Sequence, residues 1–309
     1  MLVSFVIPCY RSAHTIRGVV EELKGAMNAM PGYEAEFVLV NDCSPDDTFE
    51  VLRDMAENDE RITAVDLAKN FGQHAAIMAG LRHSAGEIVV CLDDDGQTPG
   101  DEAGKLIKKL EEGYDVVYAE YAHKQHAAWR NLGTVINNRM TEIMLGKPRE
   151  LTITSYFAMR RFIVEEMLVY KNCYPYVEGL ILRATRRIGT VPVTHRAREE
   201  GESGYTLVKL FSLWMNGFTS FSVKPLRIAT YCGASAALIG FIYLIVILIK
   251  HFVDSSIPEG WASTMALMLL PGGIILLVLG MIGEYIGRIY MCINASPQYV
   301  ERQVIRKRG

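Results

Sequence analysis

The sequence lacks the basic excess of a nucleic-acid-binding protein: 32 Lys and Arg stand against 35 Asp and Glu, for a net charge of −3. A chain that tracks phosphates along a nucleic acid carries a clear surplus of cations, so that class of partner is excluded. Paired cysteines are lacking too. Cys9, Cys43, Cys91, Cys173, Cys232 and Cys292 are scattered without a C-x-x-C spacing, several of them inside apolar runs. They read as small buried hydrophobes in a reducing compartment, not as a disulfide framework or a zinc site. There is no internal repeat and no low-complexity tract. The opening residues Leu2-Val3-Ser4-Phe5-Val6-Ile7-Pro8 have no basic stretch and no cleavage-like site. They read as a strand rather than a signal peptide, so the domain that follows is expected to stay in the cytoplasm.

What the chain has in quantity is apolar residues, 50% of 309, with a mean hydropathy of +0.13. The excess is concentrated after Ile228. Two long apolar segments, Ile228 to Ile249 and Met265 to Ile282, each come close to the roughly 20 residues that cross a bilayer as a helix. The connection His251–Ser263 has no Lys or Arg, whereas Lys224 and Arg227 precede the pair and Arg288, Arg302, Arg306, Lys307 and Arg308 follow it. By the positive-inside rule both flanks are cytoplasmic, which predicts an integral membrane protein with two spans. Ahead of them, Leu207, Leu210, Phe211, Trp214, Phe218 and Phe221 recur at helical spacing, the pattern of an amphipathic helix lying in the interface. The expected division is a catalytic head over 1–204, an interfacial helix over 205–227, a two-helix anchor over 228–290 and a basic cytoplasmic tail over 291–309.

Within the head, short apolar runs at Val3–Ile7, Glu36–Val40, Ile62–Asp66, Glu87–Leu92 and Asp115–Ala119 alternate with amphipathic stretches. Val19, Val20, Leu23 and Met27 form one such helical face; Phe49, Leu52, Met55 and Ala56 form another. This rhythm predicts an α/β fold with a mostly parallel sheet covered by helices. Ligands of such sheets bind beyond the carboxyl ends of the strands, where the sequence places its acidic residues.

Cys91-Leu92-Asp93-Asp94-Asp95-Gly96-Gln97 puts three carboxylates and an amide directly after an apolar strand. Adjacent like charges repel unless a cation sits among them, and oxygen-only ligands suit a hard divalent ion, Mg²⁺ or Mn²⁺. In an extended segment, alternation would turn Asp93, Asp95 and Gln97 the same way. Asp42, at the end of the second strand, has the position of an acidic residue that accepts hydrogen bonds from a base or ribose. Ser44, Asp46 and Asp47 read as caps of the next helix.

In this order, Val6-Ile7-Pro8-Cys9-Tyr10, Asn41-Asp42-Cys43-Ser44-Pro45-Asp46-Asp47-Thr48 and Asp93-Asp94-Asp95-Gly96-Gln97-Thr98-Pro99, followed by two apolar spans, resemble the family 2 inverting glycosyltransferases of the dolichyl-phosphate mannose synthase and bactoprenol glucosyltransferase type. The resemblance covers essentially the whole chain. It departs at the central motif, where relatives usually read Asp-Ala-Asp-Leu-Gln and this chain has Asp94 and Gly96. It implies a GT-A type head in which Pro8, Tyr10, Asp42 and Asp93 bind the nucleotide and Asp93, Asp95 and Gln97 hold the metal. The segment Lys69-Asn70-Phe71-Gly72-Gln73 would pack beside the donor, unless its small-residue continuation serves only helix-on-sheet packing. Arg130 and Arg139 would take the lipid phosphate, because guanidinium groups bind phosphate oxygens in pairs. Arg198, Ser203 and Tyr205 lie in a loop that resembles one closing over the diphosphate, with Ser203 and Tyr205 on the acceptor phosphate.

The implied reaction moves a sugar from a nucleotide diphosphate, by default a UDP-sugar, onto a polyprenyl phosphate, by default undecaprenyl phosphate, with inversion. The product would be a lipid-phosphate-linked sugar for glycosylation on the export side. A phosphate monoester loses its second proton near pH 6, so the acceptor needs no strong base. Asp93, Asp94 and Arg198 are the candidates for catalytic work, the carboxylates orienting the attacking oxygen and the arginine stabilising the leaving diphosphate. Relatives also assemble through their membrane segments, which implies a homo-oligomer. Two rival readings stand beside this one. A processive polysaccharide synthase would carry Gln-x-x-Arg-Trp and more spans, where this chain has Gln125-His126-Ala127-Ala128-Trp129-Arg130. A catalytically silent nucleotide-sugar-binding partner would not require Asp42, Asp93, Asp95 and Gln97 together.

Overall fold

The computed structural model describes residues 1–121, 151–194, 260–294 and 296–307, with isolated positions between 226 and 245. The chain divides into two compact units, Met1–Phe211 with Ala295–Gly309, and Ser212–Asn294.

The first unit is built on one eight-stranded sheet. Its strands are β1 (Leu2–Cys9), β2 (Glu34–Asn41), β3 (Ile62–Leu67), β4 (Ile88–Cys91), β5 (Val116–Tyr121), β6 (Phe157–Arg160), β7 (Ile188–Val193) and β8 (Glu301–Arg306). Their order is β7-β5-β6-β4-β1-β2-β3-β8. β1 to β5 and β7 run one way, while β6 and β8 run against their neighbours. The five runs expected from sequence are thus all strands of a mostly parallel sheet. β1 is buried without interruption from Val3 to Cys9, as a central strand covered on both faces must be.

Helices α1 (Ile16–Asn28), α2 (Thr48–Asn58), α3 (Gln73–His83) and α4 (Ala103–Glu111) return the chain between the parallel strands. α1 buries Ile16, Val19, Val20, Leu23 and Met27 on one stripe, the spacing its sequence shows. α3 is held closer to the sheet: a Cβ on Gly80 would lie 2.4 Å from Cγ1 of Val6. The small residues after Gly72 therefore do serve helix-on-sheet packing. Two further helices, α5 (Arg161–Val169) and α6 (Val177–Ala184), follow β6.

The last segment departs from the basic tail expected over 291–309. β8 pairs antiparallel with β3, Ala64 opposite Ile305 and Val65 opposite Val304. β3 would otherwise present an open row of backbone donors and acceptors, and a short charged strand is a usual cover for such an edge. Side chains reinforce the pairing: Arg302 Nη1 lies 3.3 Å from Asp66 Oδ2, and His83 Nε2 lies 3.0 Å from Glu301 Oε1.

In the second unit, α7 (Trp261–Ile293) runs 33 residues, longer than the span expected from Met265. Its stretch Pro271–Ile293 is long and apolar enough to cross a membrane by length and composition. Most of the first expected span, and all of the interfacial helix over 205–227 but Leu226, lie outside the described residues; the isolated described positions from 226 to 245 are helical.

Candidate functional site

Four loops leave the carboxyl ends of β1, β2, β3 and β4, and hydrogen bonds tie each to another. Asp42 N donates to the Cys9 carbonyl at 3.1 Å, and Arg11 N donates to Ser44 Oγ at 2.8 Å, joining the first loop to the second. Phe71 N and Gly72 N donate to the two carboxylate oxygens of Asp42 at 2.7 and 2.8 Å, joining the third. Gln73 Nε2 donates to Asp93 Oδ1 at 2.8 Å, and Tyr10 N donates to Asp94 Oδ2 at 2.9 Å, closing the ring onto the fourth. Gly72 enters α3 with φ 88°, a left-handed conformation open to glycine. Arg11 and Cys43 also have positive φ, 61° and 50°, and only surrounding contacts keep non-glycine residues there.

The nucleotide residues expected from sequence meet at this edge. Pro8 is buried at the end of β1, and Tyr10 is 46% exposed just beyond it, with the Arg11 guanidinium 5.7 Å from its ring centroid. Asp42 is nearly buried, 4% exposed. Burial raises its carboxyl above the usual range, and the Phe71 and Gly72 N–H groups partly offset this. Each carboxylate oxygen keeps a second lone pair, so Asp42 can hold the third loop and still accept from a base or ribose. Of the residues read as caps, Asp46 takes the role: its Oδ1 accepts Thr48 N at 3.3 Å and Thr48 Oγ1 at 2.6 Å. Asp47 occupies the N-cap position of α2 without a side-chain bond.

The acidic loop is bent, not extended, so the alternation expected of an extended segment does not apply to it. Gly96, at φ 71°, makes the turn that lets Asp95 accept Gln97 N at 3.1 Å and Gln97 Nε2 at 2.9 Å. Asp93 is gripped separately, by Gln73 and by the hydroxyl of Ser155 just ahead of β6. Asp94 turns the other way, to the first loop, where Thr15 Oγ1 also donates to its carbonyl at 2.6 Å. Burial pushes the Asp94 carboxyl up to about 6; the charge of Asp93 adds to this and the Tyr10 N–H opposes it. Asp94 thus joins the loop after β1 to the acidic loop after β4.

Among the described residues no three His, Cys, Asp or Glu side chains converge as a cage for a metal ion. Mg²⁺ and Mn²⁺ do not require one, since one or two carboxylates and the oxygens of a bound phosphate complete their shell. Asp95 with Gln97, flanked by Asp93, fits that donor set. Gln73 and Ser155 escaped the sequence reading as partners of Asp93. Gln73 lay in a segment singled out for another reason, and Ser155 precedes an antiparallel strand with no helical or βαβ pattern to announce it. The expected acceptor residues Arg130, Arg139, Ser203 and Tyr205, and the catalytic candidate Arg198, lie outside the described residues.

Solved structures share this fold. Glucosyl-3-phosphoglycerate synthase from Mycobacterium tuberculosis, in complex with Mn²⁺, UDP-glucose and phosphoglyceric acid, superposes with a TM-score of 0.52 at 18% identity, over 69% of this chain and 76% of that one. Sequence relatives are nearer. The undecaprenyl-phosphate 4-deoxy-4-formamido-L-arabinose transferase of Klebsiella pneumoniae is 33% identical over 311 residues, 99% of this chain and 94% of its own. That of Pseudomonas aeruginosa is 32% identical over 99% of this chain and 91% of its own. An uncharacterized glycosyltransferase of Bacillus subtilis, YkcC, is 35% identical over 96% of this chain and 92% of its own. Residues 224–289 match the family described as GtrB C-terminal hairpin, and residues 4–168 match Glycosyl transferase family 2. The chain belongs to glycosyltransferase family 2.

Proposed function

We propose that this glycosyltransferase moves a sugar from a UDP-sugar to a polyprenyl phosphate, undecaprenyl phosphate in a bacterial membrane, with inversion at the anomeric carbon. The observation that carries the reading is the ring of four tied loops, which sets Tyr10 and Asp42 beside Asp93, Asp94 and Asp95. The relatives that match over more than nine tenths of both chains, and bear undecaprenyl-phosphate transfer in their names, support the acceptor.

Tyr10 offers its ring to the base and Asp42 accepts from base or ribose. Asp93, Asp95 and Gln97 would hold Mg²⁺ or Mn²⁺, which when bound neutralises the charge growing on the leaving diphosphate. Asp94 keeps the two loops in register. A dianionic lipid phosphate attacks the anomeric carbon in line: its oxygen forms the new bond as the bond to the nucleotide breaks, and the electron pair leaves with UDP. Arg130 and Arg139 would offset repulsion between the two phosphate groups, and Arg198, Ser203 and Tyr205 would close the site.

The topology of the sheet supports a membrane hairpin. Residues before 212 and after 294 belong to one unit, and β8 is part of its sheet. A chain that leaves and rejoins one folded domain crosses a bilayer an even number of times. If α7 crosses, the segment 228–249 crosses as well and both flanks lie on one side, the cytoplasmic side by the distribution of Lys and Arg.

The test is UDP release by the purified chain in lipid nanodiscs, with and without undecaprenyl phosphate and with and without Mg²⁺ or Mn²⁺, across a panel of UDP-sugars. Release that needs both additions, with one sugar per lipid in the product, is expected. Release indifferent to the lipid, or a polymeric product, would remove the reading.

A further inference from the structure

Beside the grip on Asp93 lies a polar cluster that the reaction as described does not use. His74 opens α3 directly after Gln73, Tyr118 stands on β5, and Glu178 is in the first turn of α6. His74 Nδ1 and Glu178 Oε2 face each other at 3.6 Å, beyond hydrogen-bond distance. Those two atoms and the Tyr118 hydroxyl are buried with no hydrogen-bond partner among the described residues. The Tyr118 side chain is fully buried, and burial pushes its phenol well up, with Glu178 and Tyr176 adding to the effect. Tyr176 packs edge-on against the His74 ring, centroids 5.2 Å apart.

Buried polar groups are nearly always matched, and leaving one unmatched is costly. Several unmatched groups drawn from three separate elements therefore point to a polar ligand that completes them. Position narrows what it is. His74 follows the residue that holds one oxygen of Asp93, and Tyr118 pairs on the sheet with Phe157, two residues after the Ser155 that holds the other. Charge narrows it further. The carboxylate of Glu178 repels a phosphate, so neither the diphosphate nor the acceptor headgroup belongs here. A hydroxyl or amino group on a ring can donate to the carboxylate and bond the imidazole and phenol as well. His74 and Glu178 keep 25% and 17% of their side chains exposed, an edge such a ring can reach, while Tyr118 backs them from inside.

We propose that His74, Tyr118 and Glu178 form the subsite that reads the donor's sugar, and that it selects a neutral or amino sugar against a carboxylated one. This rests on the glycosyl-transfer reading above.

Binding of UDP, a panel of neutral and amino UDP-sugars, and UDP-glucuronate to the full-length protein with Mn²⁺, measured by calorimetry, tests it without requiring turnover. The wild type should bind its best neutral or amino UDP-sugar more tightly than both UDP and UDP-glucuronate. Glu178→Gln should weaken that sugar by about tenfold, leave UDP within about twofold, and shrink the handicap of UDP-glucuronate. Tyr118→Phe, which removes only the hydroxyl, should weaken the sugar by a smaller factor and again spare UDP. Parallel losses for UDP and UDP-sugar, unchanged affinities in both variants, or a wild type that favours UDP-glucuronate would overturn the subsite. Lipid-dependent UDP release in the wild type, measured separately, would show whether the glycosyl-transfer reading had failed as well.

Discussion

The nucleotide end of the site and the end beside α6 are built differently. At the first, Asp42, Asp93, Asp94 and Asp95 all accept hydrogen bonds from neighbouring loops or turns, and Gly72, with its positive φ, donates to Asp42. At the second, His74 and Glu178 meet only at 3.6 Å, and the buried Tyr118 hydroxyl has no hydrogen-bond partner among the described residues. The contrast separates a surface preorganised for something common to many donors, a nucleoside diphosphate, from one whose polar groups are left to be satisfied by the variable part.

The largest effect should come from breaking the preorganised end at the metal. Asp95→Asn is expected to lower lipid-dependent transfer by about 100-fold or more, because the metal that would neutralise the charge on the leaving diphosphate loses an anionic ligand, while the protein still fractionates with membranes. Full activity would remove Asp95 from the metal site. Next comes the joint between the loops. Asp94→Ala should raise the donor KM by about tenfold with a much smaller change in kcat, since it frees Tyr10 N. Asp94→Asn keeps an oxygen acceptor and should recover most of the loss; an equal collapse of kcat in both variants would make Asp94 a catalytic acid or base instead.

The same residue sharpens the comparison through pH. With its folded value near 6, above that of an unfolded Asp, Asp94 makes the folded state bind more protons between about pH 4 and pH 6. The contribution of Asp94 to metal-free stability should therefore be fully present below that window and fall by about 2 kcal/mol as pH rises through it. Denaturation across this range should show a shallower slope in Asp94→Asn; an identical slope would mean that other groups carry it. The smallest effect is expected at the far edge. Arg302→Ala removes the cation beside buried Asp66, which Asn41 also contacts at 2.7 Å. Because Arg302 is largely exposed, the loss should be about 1 kcal/mol in stability, with donor KM nearly unchanged; a large rise in KM would show that β8 shapes the nucleotide end.

Much of this was legible in the chain itself. Short apolar runs marked β1 to β5 and period-3.6 patterns marked α1 and α2, because in these elements burial follows directly from the local sequence. The acidic residues could be placed at strand ends for the same reason. β6 and β7 were not foreseen: β6 is four residues long, and β7 holds Gly189 and Pro192. β8 read as tail because Glu301-Arg302-Gln303 looks solvated until β3 supplies a partner. Within the acidic loop, spacing marked Asp93, Asp95 and Gln97 as a group, but it did not show the left-handed turn at Gly96 that lets Gln97 fold back onto Asp95.

By itself the sequence determined the parallel sheet, the order of the motifs along it and the apolar segments that follow, since each depends on residues near one another in the chain. Only the tertiary structure decided which way Asp94 faces, what grips Asp93 and where the last strand goes. Those contacts join residues 84, 62 and 236 positions apart. Side-chain direction at such distances is set by how elements pack, and no local pattern records it.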